Sequence, residues 1–168
     1  LGRFGKVKVS YPGGCEIGPR PVDLHLKGLT LMGVRLSESH GFIYAKTNEL
    51  KGADIHLDFP SVGATENLML AGGLAKGTTI IRNVAKEPEI VDLQNFLNRM
   101  GAYIKGAGTD TIKIEGCNTK DLKPVKAYTI IPDRIAAGTY LVAAAITRGR
   151  VLLKNVITEH LEPILAKL

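Results

Sequence analysis

One thiol and one guanidinium stand close together in the stretch Tyr11-Pro-Gly-Gly-Cys-Glu-Ile-Gly-Pro-Arg20. Gly13, Gly14 and Gly18 open backbone angles closed to other residues, while Pro12 and Pro19 stiffen the two ends. This composition predicts a mobile segment between anchored hinges, carrying Cys15 and ending in Arg20. A thiol so placed can meet a small anionic substrate and then be covered from water, acting as nucleophile or acid. A buried structural cysteine needs no such surroundings. The stretch alone names no reaction.

The elements around it must position that thiol. Pro21 suits a first helical turn, and Val22, Leu26 and Leu29 fall on one helical face up to Met32 and Gly33, which predicts a helix over 21–33. Its start, with free backbone N–H groups, favours anions. The 168 residues are enough for one domain and part of a second. With 45% hydrophobic and 23% charged residues, the composition is that of a soluble globular protein. No apolar run approaches the ~20 residues of a membrane span, so no membrane role is expected. The absence of an initial methionine predicts an internal or processed piece of a longer chain.

The net charge is +6 and the pI near 9.4. Basic residues are scattered, with mild enrichment near the start (Arg3, Lys6, Lys8, Arg20, Lys27, Arg35). Nucleic-acid binders show denser stripes with interleaved aromatics, so no nucleic-acid partner is expected, and a small phosphate-bearing substrate suits the diffuse charge better. Cys15 and Cys117 form neither a CxxC nor a paired metal spacing; a disulfide between them stays open, and a reducing cytoplasm is expected. His25, His40, His56 and His160 share no ligand spacing, so neither a metal nor a cofactor is predicted.

A repeat runs through the chain. Shifted by 72 residues, 60–87 lies on 132–159 without a gap, with seven of 28 positions identical, Pro60/Pro132, Gly77/Gly149 and Asn83/Asn155 among them; chance gives about two. A weaker echo pairs Leu29-x-x-Met32-Gly33 with Leu97-x-x-Met100-Gly101. Each unit predicts a helix (61–75 or 133–147) capped by Ser61 or Asp133 and ending at Gly77 or Gly149. A β-rich run follows (78–82 or 151–154), then a second helix from Pro88 with Ile90, Leu93, Leu97 and Met100 in one stripe, then short strands such as 111–114. The first, incomplete copy supplies strands near 41–46 and 53–57. The last copy breaks off in its second helix. The class is α/β, with helix pairs on small mixed sheets.

The string Pro12-Gly-Gly-Cys-Glu-Ile-Gly-Pro-Arg-Pro-Val-Asp-Leu-His25 closely resembles the UDP-N-acetylglucosamine 1-carboxyvinyltransferase family. So do Asp58-Phe-Pro-Ser-Val-Gly-Ala-Thr65, Gly77-Thr-Thr-Ile-Ile-Arg-Asn83, Glu87-Pro-Glu-Ile-Val-Asp92 and Ile131-Pro-Asp-Arg134. The resemblance covers all 168 residues, about two-fifths of a typical member. It implies enolpyruvyl transferase-like repeats of βαβαββ type, here incomplete. Residues 1–131 would be part of the catalytic-loop domain, and 132–168 the crossover into the second domain. The implied reaction moves the enolpyruvyl group of phosphoenolpyruvate onto the 3-hydroxyl of UDP-N-acetylglucosamine with release of phosphate, the first committed step of peptidoglycan synthesis. By the same resemblance Cys15 is the proton donor and the fosfomycin target, and Arg20 neutralises substrate anion. Pro21, Val22, Asp23 and Leu24 line the uridine pocket, and Ser61, Val62 and Gly63 contact the diphosphate. Phe59 departs from members that carry lysine there, so diphosphate charge must be balanced elsewhere. The rest of the same enzyme chain is an expected partner, because the family's Lys-Asn pair, an upstream arginine, the aspartate base and a C-terminal arginine lie outside these residues. At most weak substrate binding and no turnover are expected of the 168 residues alone.

Plainer readings stand beside these. Cys15 as a surface thiol, Cys117 as structural, Asp23 as a first-turn acid, Ser61 as a simple cap, and His25 and His56 as packing or solvated side chains all fit the residue types. The rival functions are the shikimate-pathway enolpyruvyl transferase, similar in fold but without this cysteine loop, and a non-catalytic UDP-sugar-binding or interaction module.

Overall fold

A computed structural model describes residues 1–13 and 21–168, which form two compact units, Leu1–Tyr128 and Thr129–Leu168. In the first unit β1 (Lys6–Ser10), β2 (Arg35–Ser39) and β3 (Phe42–Lys46) make an antiparallel sheet in the order β1-β3-β2. The middle strand β3 alternates in burial. Ile43 and Ala45 are buried while Lys46 is exposed, so one face meets the core and the other meets water.

Helix α1 (Asp23–Leu31) precedes β2, and Gly33 between them adopts φ +87°. The arrangement recurs. Helix α3 (Pro88–Met100) ends at Gly101, φ +108°, and feeds the hairpin β6 (Tyr103–Lys105) and β7 (Thr111–Glu115). The echo Leu-x-x-Met-Gly is therefore one helix-stop device used twice: apolar residues hold the last turn and glycine takes the left-handed cap. β6 and β7 join β4 (Asp54–His56) and β5 (Thr78–Arg82) in a mixed sheet, order β4-β5-β7-β6, with only β4 and β5 parallel.

Helix α2 (Val62–Gly72) runs through the core with Ala64, Thr65, Leu68 and Met69 buried. The side-chain oxygen of Ser61 caps it, accepting from the Ala64 N–H at 3.3 Å. The stripe expected on α3 is there, with Ile90 and Leu97 buried and Leu93 and Met100 packed against the core. Tyr128 closes the unit by donating to Asp92 at 2.8 Å and packing edge-on to Phe96.

In the second unit α4 (Arg134–Ile146) is capped by Asp133, which accepts from Ile135 and Ala136, and a 3-10 turn (Thr158–Leu161) leads into α5 (Glu162–Leu165). The 72-residue repeat survives in backbone detail, since Asn83 and Asn155 adopt φ +57° and +56°.

Three expectations need correction. α2 stops at Gly73 rather than Gly77, which instead takes φ +91° at the entry to β5. α1 starts at Asp23, so Pro21 lies ahead of the helix. Residues 151–154 form no strand, although the equivalent 78–82 do. β5 is held between β4 and β7, whereas 151–154 has no hydrogen-bonded neighbour among the described residues, and a strand exists only through its partners. The sequence reading also passed over β1, although Lys-Val-Lys-Val-Ser alternates, and β2, whose polar residues leave little alternation to read.

Candidate functional site

Two stretches some forty residues apart in sequence meet where α1 packs on α2. Gly28 permits the approach, because a Cβ there would lie 2.5 Å from Leu68 Cδ2. Near this contact the His25 ring rests on the first turn of α2, its Cε1 and Nε2 3.5 and 3.6 Å from where a Gly63 side chain would begin. His25 Nδ1 lies 2.9 Å from the Asn67 amide nitrogen. A neutral ring therefore accepts there and carries its proton on Nε2. Lys27 reaches Asp58, just ahead of the α2 cap, at 2.6 Å.

Burial lowers the His25 pKa, only partly opposed by Asp23, which keeps the ring neutral near pH 7. α2 begins with Ser61 as cap, then Val62 and an exposed Gly63, so backbone N–H groups are open to a bound anion. Beside Val22 and His25 opens a groove of about 750 Å³ between the core face of β1–β3 and the two helices. Its walls are mainly apolar, with Val7, Val9, Leu26, Leu29 and Leu74 among them.

The EPSP synthase (3-phosphoshikimate 1-carboxyvinyltransferase) family model matches residues 1–168. The chain belongs to the EPSP synthase family. UDP-N-acetylglucosamine 1-carboxyvinyltransferase 1 of Carboxydothermus hydrogenoformans is 64% identical over the whole chain, which covers 39% of that relative. The enzyme of the same name from Caldanaerobacter subterraneus subsp. tengcongensis is 58% identical, again over the whole chain and 40% of its own length. The chain thus spans about two-fifths of these relatives. The enolpyruvyl transferase NikO from Streptomyces tendae shares the fold, with TM-score 0.71 at 24% identity over 85% of this chain and 34% of that one. An EPSP synthase structure from Acinetobacter baumannii gives TM-score 0.62 at 24% identity over 86% and 33%.

Within this EPSP synthase-family chain, the nine residues singled out from sequence fall in three groups. Cys15 and Arg20 lie outside the described residues. Pro21, Val22, Asp23 and Leu24 stand at the α1 start and Ser61, Val62 and Gly63 at the α2 start, brought together through His25. Leu24 is buried in the core, so only its backbone faces outward chemistry, while Pro21 and Asp23 are exposed. Sequence reasoning assigned nothing to His25, Lys27 or Asn67. The i, i+4 spacing of Gly63 and Asn67 was the available signal, but their common neighbour on α1 was not visible. Cys117 takes the structural role: its thiol donates to the Gly73 carbonyl at 3.2 Å, and burial pushes its pKa up. Among the described residues no His, Cys, Asp or Glu cluster could hold a metal, and no helix is long and apolar enough to cross a membrane.

Proposed function

We propose that the polypeptide carrying this chain transfers the enolpyruvyl group of phosphoenolpyruvate to the 3-hydroxyl of UDP-N-acetylglucosamine. The observation that carries the reading is the meeting of the α1 and α2 starts at His25 and Gly63, in a chain whose 58–64% identical relatives bear that enzyme name. The shikimate-pathway reading rests on far weaker likeness, 24% to the EPSP synthase structure.

The nucleotide sugar enters with its uracil against Pro21–Leu24, where aliphatic surface covers the ring and Asp23 and the backbone meet its polar edge. Its diphosphate lies at the α2 start, taking N–H groups from Val62 and Gly63 beside the Ser61 cap. Arg20 neutralises substrate anion. The Cys15 S–H protonates the methylene carbon of phosphoenolpyruvate as the sugar 3-hydroxyl oxygen bonds to the central carbon. That hydroxyl's proton passes to a base elsewhere in the polypeptide. Cleavage of the C–O bond to phosphate and loss of a methyl proton then restore the double bond as an enol ether. The reaction belongs to the cytoplasmic start of peptidoglycan synthesis, and Cys15 is where fosfomycin would attach.

Phosphate release by the whole polypeptide tests this. Turnover is expected with UDP-N-acetylglucosamine and not with shikimate 3-phosphate, and Cys15→Ala should lower it by about a hundredfold or more. Turnover on shikimate 3-phosphate, or full activity in Cys15→Ala, would overturn the reading. UDP-sugar binding by the whole polypeptide without any turnover would favour the non-catalytic module.

A further inference from the structure

The basic residues that look scattered in sequence converge on one face of one sheet. Across β1-β3-β2 the register sets Lys6 opposite Lys46 and Lys46 opposite Arg35. These three share the water-facing side, because their neighbours Ala45, Val7 and Leu36 turn to the core face. Two residues along, Lys8, Tyr44 and Ser37 form the next row, and then Ser10, Phe42 and Ser39. The outer face therefore carries four cations, two aromatic rings and three serines, and no carboxylate belongs to it.

Like charges directly opposite one another in a sheet repel. Here Lys46 stands between two of them at a strand spacing of ~4.8 Å. Among the described residues, Lys6, Lys8, Lys46 and Arg35 enter no ion pair. Nothing in this fold requires that. The outer face of the four-stranded sheet of the same unit neutralises two of its three cations: Arg82 grips Asp54 with two bonds of 2.9 Å, and Lys113 pairs with Glu115 at 2.9 Å, while Lys105 opposite Lys113 stands over the Tyr103 ring. One sheet thus pairs most of its cations internally, and the other pairs none of its four among the described residues.

We propose that the outer face of β1-β3-β2 is a docking surface for an acidic segment of a partner protein, with Asp and Glu carboxylates set over Lys6, Lys46, Arg35 and Lys8. The cations spread over an open surface instead of closing a cage, which suits an extended chain of carboxylates better than a small ion. Alternate side chains of an extended strand recur every ~6.7 Å, the spacing that separates the Lys6 and Lys8 rows. At one end of the row a polar hollow of about 490 Å³ is lined by Arg35, Lys46 and Lys51 against the single carboxylate of Glu49, so cations outnumber it three to one there. Single-stranded nucleic acid fits less well, because the Lys8 ammonium already stands over both rings, 4.3 Å from the Phe42 centroid and 5.2 Å from that of Tyr44. Bases would have no free stacking platform there.

The test uses the whole polypeptide and a fluorescent oligoglutamate of about ten residues, ~33 Å when extended. Saturable binding is expected, weakening steeply with salt. Lys46→Glu, which reverses the central charge, should weaken it about tenfold. The same substitution places a carboxylate between Lys6 and Arg35, so melting temperature should rise or hold while binding falls. Lys46→Gln, a milder variant, should weaken binding a few-fold without any folding question. Lys105→Glu, on the other sheet, should leave the affinity unchanged. Absence of saturable binding, equal loss in Lys105→Glu, or tighter binding of an oligothymidylate of equal charge than of oligoglutamate would each overturn the proposal.

Discussion

Replacing Gly28 by alanine tests whether the contact of α1 with α2 is set by steric fit. The new methyl carbon would stand 2.5 and 2.7 Å from the two Leu68 methyl groups and 3.1 Å from Cγ. Ordinary contact needs 3.4–4 Å, so one side must move by roughly 1 Å. Leu68 is fully buried, so its methyl groups can move only against packed neighbours. Overpacking of this kind costs ~1–3 kcal/mol, while alanine in place of glycine inside a helix returns ~1 kcal/mol. The net expectation is a loss of about 1 kcal/mol, or a melting temperature lower by roughly 4 °C for a unit of this size. Because His25 bridges the same two helices through Asn67 and Lys27 holds Asp58 just ahead of α2, the shift should also weaken UDP-sugar binding. Thermal melts of wild type, Gly28→Ala, Leu68→Ala and the double variant give the coupling directly. In the double variant the added methyl occupies part of the Leu68 cavity, so the losses should fall short of additive by about 1 kcal/mol. A melting temperature that rises in Gly28→Ala, as helix propensity alone would give, refutes the reasoning.

Other outcomes follow from individual residues. Burial holds His25 below its usual 6.5, so as pH falls the unfolded chain takes up that proton first. The contribution is complete above about pH 6.5 and is lost as pH falls through the lowered native value; urea melts at acid and neutral pH should show this part of the slope vanish in His25→Gln. Ser61→Ala removes the α2 cap and should cost ~1 kcal/mol, read by the same melts. Gly116→Ala would place a methyl 1.6 Å from the Ala75 carbonyl oxygen, which is backbone and cannot rotate away; its melting temperature should fall further than that of Gly28→Ala. Cys117, half-buried and hydrogen-bonded with a raised pKa, should react with iodoacetamide far more slowly than Cys15, as peptide mapping after timed labelling would reveal.

Where local chemistry decides an element, the sequence was a good guide. Ser61 and Asp133 mark helix starts because a side-chain acceptor there satisfies the first free N–H groups, and both caps form. The segment 78–82 carries β-branched residues between turn-forming ones and is β5. What sequence could not supply was pairing. β1 and β2 exist because the buried residues of β3 pull both into register, and 151–154, with one β-branched residue against four in β5, stays unpaired among the described residues. The candidate site followed the same division. Its two helix starts were visible as motifs, but their junction at His25 depends on the absent side chain of Gly28 and the buried Leu68. The charge pattern of the first sheet was equally hidden, because Lys6, Arg35 and Lys46 become neighbours only across strands.

The central claim is that the starts of α1 and α2 form one nucleotide-sugar site, and amide hydrogen exchange of the whole polypeptide with and without UDP-N-acetylglucosamine tests it most directly. Protection of residues 22–25 and 62–64 together, saturating at the same ligand concentration and absent with shikimate 3-phosphate, is the expected result. Protection of only one of the two segments, or of neither while the ligand is bound, would contradict it.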